Sequence, residues 1–275
     1  MLICLPPSEG KTPAPDGAAP VDLARLTGAA HLTAQRGAVA EALAAVSTRP
    51  DATTVLGVGA SLGPEVARNA DLKSAPAAPA AQVYTGVLYA AAGLADLTGD
   101  AARRAAEDVR VFSGLWGVVA PDDRIPAYRL SMAVDLPGVG KLATAWRPHL
   151  AAALDGRAAG DVVVDCRSAA YLAAWRPDTA AADWVTVRVV RETAGRRAVV
   201  SHNAKHTRGV LAGHLLRRPA APPRTGEELL DAARELDGQV IGTEVGSGLS
   251  YRMLEATLHD AATRRGPRTL EVVIS

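Results

Sequence analysis

The chain alternates short apolar runs with segments whose apolar residues recur at helical spacing. Short runs rich in Val, Ile and Leu are typical of buried strands, and apolar positions three and four residues apart are typical of amphipathic helices. Strands are predicted at 2–5, 109–119, 162–164, 185–190, 198–201, 239–245 and 270–274. Helices are predicted at 21–26, 32–46, 85–97, 101–108, 142–154, 204–216 and 226–236.

Two local signals add detail to this pattern. Thr225 and Glu228 form the capping box that begins a helix. The segment 185–201 turns at Ala194-Gly195 and is typical of a hairpin, which introduces antiparallel pairing. Strands interleaved with helices and a hairpin predict a mixed α/β fold of α+β character. We expect a single compact domain over 1–275, built around a mixed sheet.

The composition excludes a strongly charged or membrane-embedded protein. The 275 residues are 48% hydrophobic and carry a formal net charge of +1. No apolar run reaches the length of a membrane span, and the apolar start is too short, and lacks the basic leader, for a signal peptide. Cys4 and Cys166 lie in apolar contexts typical of buried free thiols in a reducing compartment. We therefore expect a cytoplasmic protein.

Charge is nevertheless uneven along the chain. Eight basic residues and one acid, Glu192, lie between Arg188 and Arg218. Such a segment is either a solvated basic face or a local footprint for an anionic partner.

The segment 5–12 (LPPSEGKT) follows the first predicted strand and is the strongest candidate for a ligand site. Gly10 allows close backbone approach, Lys11 supplies a cation and Thr12 a hydroxyl, which together suit an anionic group. A Walker A loop is excluded because Leu5 stands where that motif needs glycine. The prolines after Thr12 also cannot open the phosphate-binding helix. Triphosphate hydrolysis is thus disfavoured, whereas anion recognition by Lys11 remains.

Two weaker motifs have simpler interpretations. The segment 59–63 matches G-x-S-x-G, but nothing marks the other members of a hydrolase triad, and a helix-entry turn with Pro64 explains it. His202 and His206 have the spacing of a zinc helix, yet Lys205 lies between them and no carboxylate is nearby. A basic helix start with Lys205 and Arg208 on one face is the better interpretation. No metal and no cofactor are expected.

A glycine turn precedes the helix predicted at 142–154. Gly138, Val139, Gly140 and Lys141 resemble the hairpin of a helix-hairpin-helix element, whose backbone N–H groups and lysine contact DNA phosphates without reading sequence. An ordinary turn before a helix explains the same residues, and 126–135 is not a persuasive first helix. Both interpretations remain open.

The segment 113–130 is dense in glycine, aromatic and charged residues. Glycines inside a strand permit close approach by a ligand or another segment. Arg129 could form an ion pair with Asp122 or Asp123, a structural alternative to a functional role.

Taken together, the segments resemble the peroxide stress protein YaaA family. The matching segments keep the family's order from residue 1 to about 215: 6–12 (PPSEGKT), 84–86 (YTG), 113–117 (SGLWG), 126–130 (PAYRL), 145–146 (AW) and 204–209 (AKHTRG). The resemblance implies an unusual single-domain α/β fold and a cytoplasmic oxidative-stress protein whose relatives limit intracellular iron. It also implies double-stranded DNA binding through a helix-hairpin-helix element.

The sequence departs from the family pattern at two places. One is before Ala204, where some members have aromatic residues and this chain has His202 and Asn203, and the other is at 165–171. Where relatives often carry Leu-Ala-Ser-x-Glu-Tyr, this chain has 165–171 (DCRSAAY), so the acid before Tyr171 is lost and Arg167 is gained. Chemistry that depends on that acid is not expected here.

Two hypotheses follow from the sequence. In the first, the chain is a stress-response protein that binds double-stranded DNA without sequence preference. It is expected to be monomeric and not to associate with membranes. In the second, it is an enzyme with a basic pocket for a small anionic ligand, phosphorylated or nucleotide-like. The candidate pocket residues come from distant segments: Lys11, Tyr84, Ser113, Arg129, Lys205 and Arg208. Their convergence in one cleft would favour the enzyme.

Overall fold

A mixed sheet forms the centre of the molecule, in a computed structural model that describes residues 1–200, 202–243 and 250–275. The strands are β1 (Leu2–Leu5), β2 (Ala78–Pro79), β3 (Val109–Ser113), β4 (Gly117–Val119), β5 (Arg124–Ile125), β6 (Asp135–Leu136), β7 (Gly140–Lys141), β8 (Val162–Asp165), β9 (Asp183–Thr193), β10 (Arg196–Val199), β11 (Val240–Thr243), β12 (Ser250–His259) and β13 (Arg268–Ile274). The helices are α1 (Ala29–Ser47), α2 (Ala52–Val55), α3 (Gly63–Ala67), α4 (Ala80–Val83), α5 (Val87–Ala92), α6 (Gly99–Asp108), α7 (Leu142–Ala158), α8 (Ala169–Leu172), α9 (His202–Arg217) and α10 (Gly226–Arg234).

The sheet combines a parallel centre with antiparallel edges. Its order is β11-β12-β13-β9-β8-β1-β3-β4, with β10 also pairing with β9. The five strands from β13 to β3 in this order run parallel, and β4, β10, β11 and β12 are antiparallel to their neighbours. The predicted mixed α/β fold in one compact domain is confirmed. The β9–β10 pair is the predicted hairpin, with Ala194 and Gly195 at positive φ in its turn.

The long run predicted as one strand at 109–119 forms two strands instead. β3 ends at Ser113 and the chain returns antiparallel as β4, with Ser113 opposite Gly117. Two glycines make this turn fit. A Cβ at Gly114 would lie 2.9 Å from the carbonyl oxygen of Leu130, and Gly117 has a φ of +69° with the Trp146 ring packed against it.

Other elements are shorter than predicted or were not predicted. The helix predicted at 85–97 ends at Ala92 because Gly93 takes a left-handed φ of +62°, and only a 3-10 turn, Leu23–Arg25, forms in the segment 21–26. β12 was not predicted. In the strand predicted at 239–245, residues 244 and 245 lie outside the described residues, as does Ser201 in the strand predicted at 198–201.

The carboxyl ends of the central parallel strands meet at one edge of the sheet. Leu5 at the end of β1 pairs with Val111 of β3, and Cys4 pairs with Asp165 at the end of β8. The loop 6–12, the turn after Ser113 and the segment after Asp165 therefore leave the sheet side by side. In open α/β sheets this edge is where ligands bind. No helix among the described residues combines the length and apolarity needed to cross a membrane.

Candidate functional site

The loop 6–12 is fixed against the segment that leads into α5. The backbone N–H of Thr85 donates to the Ser8 hydroxyl at 3.0 Å, and Ser8 in turn donates to the carbonyl of Gly10. The Tyr89 hydroxyl donates to the carbonyl of Pro6 at 2.7 Å, and Lys11 forms a backbone bridge with Tyr84. These contacts give the loop one shape and direct the Lys11 side chain inward.

Lys11 is enclosed by aromatic rings and backbone. Its ammonium donates to the carbonyl of Ser8 at 2.8 Å and lies 4.3 Å from the ring centroid of Tyr128 and 5.6 Å from that of Tyr84. Among the described residues it has no carboxylate partner. The pKa of Lys11 is lowered to about 8, chiefly by burial and to a smaller extent by the charge of Arg129, against the opposing effect of the carboxylates of Glu9 and Glu65.

Hydroxyl groups form a buried network behind the lysine. The Tyr128 hydroxyl lies 2.9 Å from that of Tyr84 and 2.6 Å from that of Ser113. Ser113 also accepts from the backbone N–H of Trp116 at 2.9 Å. Burial raises the pKa of Tyr128 and that of Tyr84 well above their ordinary values. These tyrosines therefore stay neutral, and the network holds the rings in place around the ammonium.

Arg129 lies at the mouth of the site, where two glutamates hold it. Its guanidinium is 3.1 Å from the carboxylate of Glu9 and 3.3 Å from that of Glu65. Its backbone exchanges two hydrogen bonds, of 2.9 and 3.0 Å, with the buried side chain of Asn69. The structural alternative of an ion pair with Asp122 or Asp123 is not formed, because Arg129 pairs with the two glutamates and the Asp123 carboxylate accepts from backbone N–H groups, including that of Ala120. Glu9, Glu65 and Asn69 were not predicted as site residues.

The two remaining pocket candidates lie on α9. α5 and α9 pack in parallel, since a Cβ on Gly209 would approach the carbonyl of Leu88 and one on Gly213 that of Ala92. Lys205 is exposed and lies one turn before Gly209. Because α5 and α9 are parallel, Lys205 lies at the same end of the molecule as Thr85, which precedes α5, and the loop 6–12 that Thr85 contacts. Arg208 donates twice to the carbonyl of Val187 in β9, at 3.0 and 2.7 Å. The structure thus brings Lys11, Tyr84, Ser113 and Arg129 together, places Lys205 at the same end and fixes Arg208 to the sheet.

The departure at 165–171 belongs to the core. Arg167 and Asp165 form an ion pair of 2.6 Å with both side chains fully buried. The Arg167 guanidinium stacks over Phe112 at 4.0 Å. Cys4 and Cys166 beside this pair are free thiols, as expected, and burial raises the pKa of Cys166 to about 12.

The glycine turn before α7 forms a two-stranded hairpin. Asp135 pairs with Lys141 in β6–β7, and Gly138 and Gly140 have φ values of +85° and +87°. Lys141 is exposed, and Val139 is half-buried in the turn. The hairpin and the second helix of the predicted element are present, whereas 126–134 contains no helix.

A groove runs beside α7 that the sequence did not suggest. Three adjoining depressions of about 420, 820 and 470 Å³ share lining residues, Arg176 between the first two and Arg264 between the last two. Arg147 lines the first, and Arg265 and Asp178 line the second. Within the described chain, Arg176, Arg264 and Arg265 have no ion-pair partner. The only sequence signal for this groove is the Arg264-Arg265 pair.

At least three of the eight basic residues in the segment 188–218 form ion pairs with acids of neighbouring elements. Arg188 pairs with Glu271, Arg197 with Glu192 and Glu255, and Arg218 with Glu235. The segment therefore offers less positive potential to a partner than its composition suggests.

The last two motifs are the G-x-S-x-G match at 59–63, which has a structural role, and the pair His202 and His206, which the structure describes only in part. Ala60–Leu62 is a 3-10 turn followed by α3 with Pro64 in its first turn, which confirms the helix-entry interpretation of 59–63. The His202 side chain lies outside the described residues. No group of three or more His, Cys, Asp or Glu side chains in the described ranges is arranged to hold a metal ion.

Comparison with known proteins gives consistent matches over most of the chain. The sequence model of the family described as "Peroxide stress protein YaaA" matches residues 1–235. A UPF0246 protein of Streptomyces coelicolor is 44% identical over 263 residues, which cover 94% of this chain and 99% of the relative. UPF0246 proteins of Corynebacterium efficiens and Corynebacterium glutamicum are 40% and 38% identical, each over 85% of this chain and 92% of the relative.

Proposed function

This chain belongs to the peroxide stress protein YaaA family, and we propose that it protects the cell from peroxide by limiting the intracellular iron available for peroxide chemistry. The family match supports the peroxide-stress role, and it includes every residue around Lys11. The observation that carries the proposal is that segments far apart in sequence meet at this one site, where Lys11, Tyr128 and Arg129 lie in contact or share partners. The iron-limiting part of the proposal comes from the resemblance to the family, whose members limit intracellular iron.

A deletion strain of a bacterium carrying this gene tests the proposal. Without the gene we expect poorer survival in hydrogen peroxide and more unincorporated iron, measured by whole-cell electron paramagnetic resonance. The intact chain should restore both, and Lys11→Met should restore neither. Lys73→Met is the matched control because Lys73 is 75% exposed and pairs only with Glu41 on the surface. Unchanged iron in the deletion strain would refute the iron-limiting role.

We further propose that the hairpin and the groove beside α7 bind double-stranded DNA without sequence preference. Two observations favour this role: exposed Lys141 beside two glycines at positive φ, and Arg176, Arg264 and Arg265 in the groove, which have no ion-pair partner among the described residues. Backbone N–H groups and basic side chains of this kind contact phosphates, which carry no base information.

DNA binding should weaken steeply with salt and be equal for unrelated duplexes. Lys141→Glu is expected to weaken binding several-fold and to reduce the slope of log affinity against log salt by about 1 for the lost phosphate contact. Arg103→Glu makes the same charge change at an exposed position of α6 and should leave the slope unchanged. Fluorescence anisotropy at several salt concentrations measures both. Failure of duplexes to bind at low salt, or equal effects of the two variants, would rule out this interface.

A second candidate function is an enzyme that acts on a small anionic, phosphorylated or nucleotide-like compound. The observation that favours it is the location of Lys11 and Arg129 at the carboxyl edge of the sheet, where α/β enzymes bind substrates. Competition of inorganic phosphate with chemical modification of Lys11 tests it. We expect protection from phosphate that is absent with chloride.

A further inference from the structure

Lys11 differs from every other lysine of the chain. Only four of the 30 lysines and arginines are lysines. Lys73, Lys141 and Lys205 are exposed, whereas Lys11 lies under aromatic rings. The chain uses mostly arginine as its basic residue but has a lysine at this enclosed position. A lysine ammonium can release its proton, whereas a guanidinium remains charged in proteins.

We propose that Lys11 is a nucleophilic amine that condenses with small carbonyl compounds carrying an anionic group. The proposal rests on the second candidate function and names its substrate class. Its geometric basis is an ammonium without a carboxylate partner in the described chain, packed on Tyr128 and adjacent to the guanidinium of Arg129. A lysine in an apolar pocket or beside another cation is activated as a nucleophile in this way.

The reaction is balanced without any further reagent. The neutral amine nitrogen of Lys11 forms a bond to the carbonyl carbon, and one of its two protons passes to the carbonyl oxygen, which becomes a hydroxyl group. The second proton of the nitrogen then passes to this hydroxyl group, which leaves as water, and a carbon–nitrogen double bond remains. Nothing is oxidised or reduced.

Arg129 provides the preference for an anionic group. Its guanidinium is only 14% exposed, and Glu9, one of its two carboxylate partners, is 64% exposed. The Glu9 carboxylate thus occupies a position that a carboxylate or phosphate of the carbonyl compound can take by displacing it. The same loop carries Glu9 and Lys11, so the displaced anion site and the amine lie next to each other.

Reductive trapping tests the proposal on the full chain. The protein is incubated with glyoxylate, glycolaldehyde phosphate or neutral glycolaldehyde in the presence of cyanoborohydride, and modified lysines are located by peptide mass spectrometry. With a pKa of about 8, Lys11 is about half amine at pH 8, whereas an ordinary lysine with a pKa near 10.4 is less than about 1% amine. We expect Lys11 to be modified at least about tenfold faster than each other lysine.

The pH profile distinguishes an activated amine from one that is merely accessible. Below pH 8 the rate at Lys11 should rise about tenfold per pH unit and then level off, because the folded protein loses this proton near pH 8. The rates at Lys73, Lys141 and Lys205 should continue to rise toward pH 10. A Lys11 rate that follows the other three would overturn the proposal.

Two variants provide controls. Lys11→Arg retains the charge but not the amine, and should abolish the fast modification, while Lys73→Arg, at an exposed lysine outside the site, should not change it. Glu9→Gln frees one side of Arg129, so the ratio of rates for glyoxylate and for neutral glycolaldehyde should rise severalfold. Glu9→Gln also supplies a readout if Lys11→Arg fails to fold.

The outcomes separate this proposal from the function on which it rests. Fast trapping at Lys11 with preference for the two anionic aldehydes supports both. Protection of Lys11 by phosphate without any trapped adduct retains the anion site and rejects the amine chemistry. Neither protection nor adduct rejects both.

Discussion

Replacing Asp165 by alanine is expected to lower the free energy of unfolding by about 3–5 kcal/mol. Asp165 accepts hydrogen bonds from Nε and Nη2 of Arg167, at 2.8 and 2.6 Å, and from Nε1 of Trp184 at 2.9 Å. Burial alone lowers the pKa of Arg167, and the Asp165 carboxylate reverses that effect. Without it, a guanidinium remains buried and unpaired. Urea unfolding followed by tryptophan fluorescence measures the loss.

Two comparisons show whether the loss comes from the unpaired charge. Replacing both residues, Asp165→Leu with Arg167→Met, removes the charges together and should be markedly less destabilising than Asp165→Ala. Asp100→Ala removes one of the two exposed carboxylate partners of Arg103 and should change stability by less than about 0.5 kcal/mol. Equal losses in the single and double variants would refute the argument. The Asp165–Arg167 ion pair also lies at the end of β8, where Asp165 pairs with Cys4 of β1. Removal of the ion pair should therefore destabilise the carboxyl ends of these strands more than the rest of the sheet.

The parallel strands could be predicted from the sequence because their signal is local. β1 and β8 are short runs buried at every position, and a strand covered on both faces shows such a pattern. β12 was missed because Tyr251 and Met253 are buried while Arg252 and Leu254 are exposed. Because the exposed residue Leu254 is apolar, the apolar residues of this segment do not alternate regularly with polar ones, and the sequence does not show the two-residue period of a strand.

The site could be predicted only in part, and the missing part is tertiary. Lys11 has a local signal in the glycine before it and the strand before that. The partners of Arg129 have none, because Glu65 is 64 residues away and Glu9 is 120 residues away in sequence. The nearby acids 122 and 123 suggested the wrong pair, since Asp123 is used to close a turn. Sequence therefore identified the residues that have distinctive chemistry and missed those that position them.

Replacing Gly209 by alanine is expected to destabilise the protein by about 3 kcal/mol. A Cβ at this position would overlap the carbonyl oxygen of Leu88 and lie 2.9 Å from Cβ of Ala91. α5 and α9 can therefore approach closely only because Gly209 has no side chain. The helices must separate to admit a methyl group, and the contacts between them are lost.

Two other helical glycines should respond with the opposite sign. Gly37 in α1 and Gly156 in α7 would meet no heavy atom within 4 Å. Alanine at either position should therefore raise stability by about 0.5–1 kcal/mol through its higher helix propensity. Unfolding curves of the three variants test the contrast, and a stabilised or neutral Gly209→Ala protein would contradict close packing of α5 on α9.

The same substitution links helix packing to the site. α5 begins at Val87, and Thr85 just before it donates to Ser8 in the loop that carries Lys11. A displaced α5 should move that loop, so Gly209→Ala at a temperature where it remains folded is expected to slow trapping at Lys11. Gly37→Ala should leave the rate unchanged. A folded Gly209→Ala protein with an unaltered Lys11 rate would show that the loop is held by β1 alone, whereas a slowed rate makes the parallel α5–α9 pair the support of the lysine site.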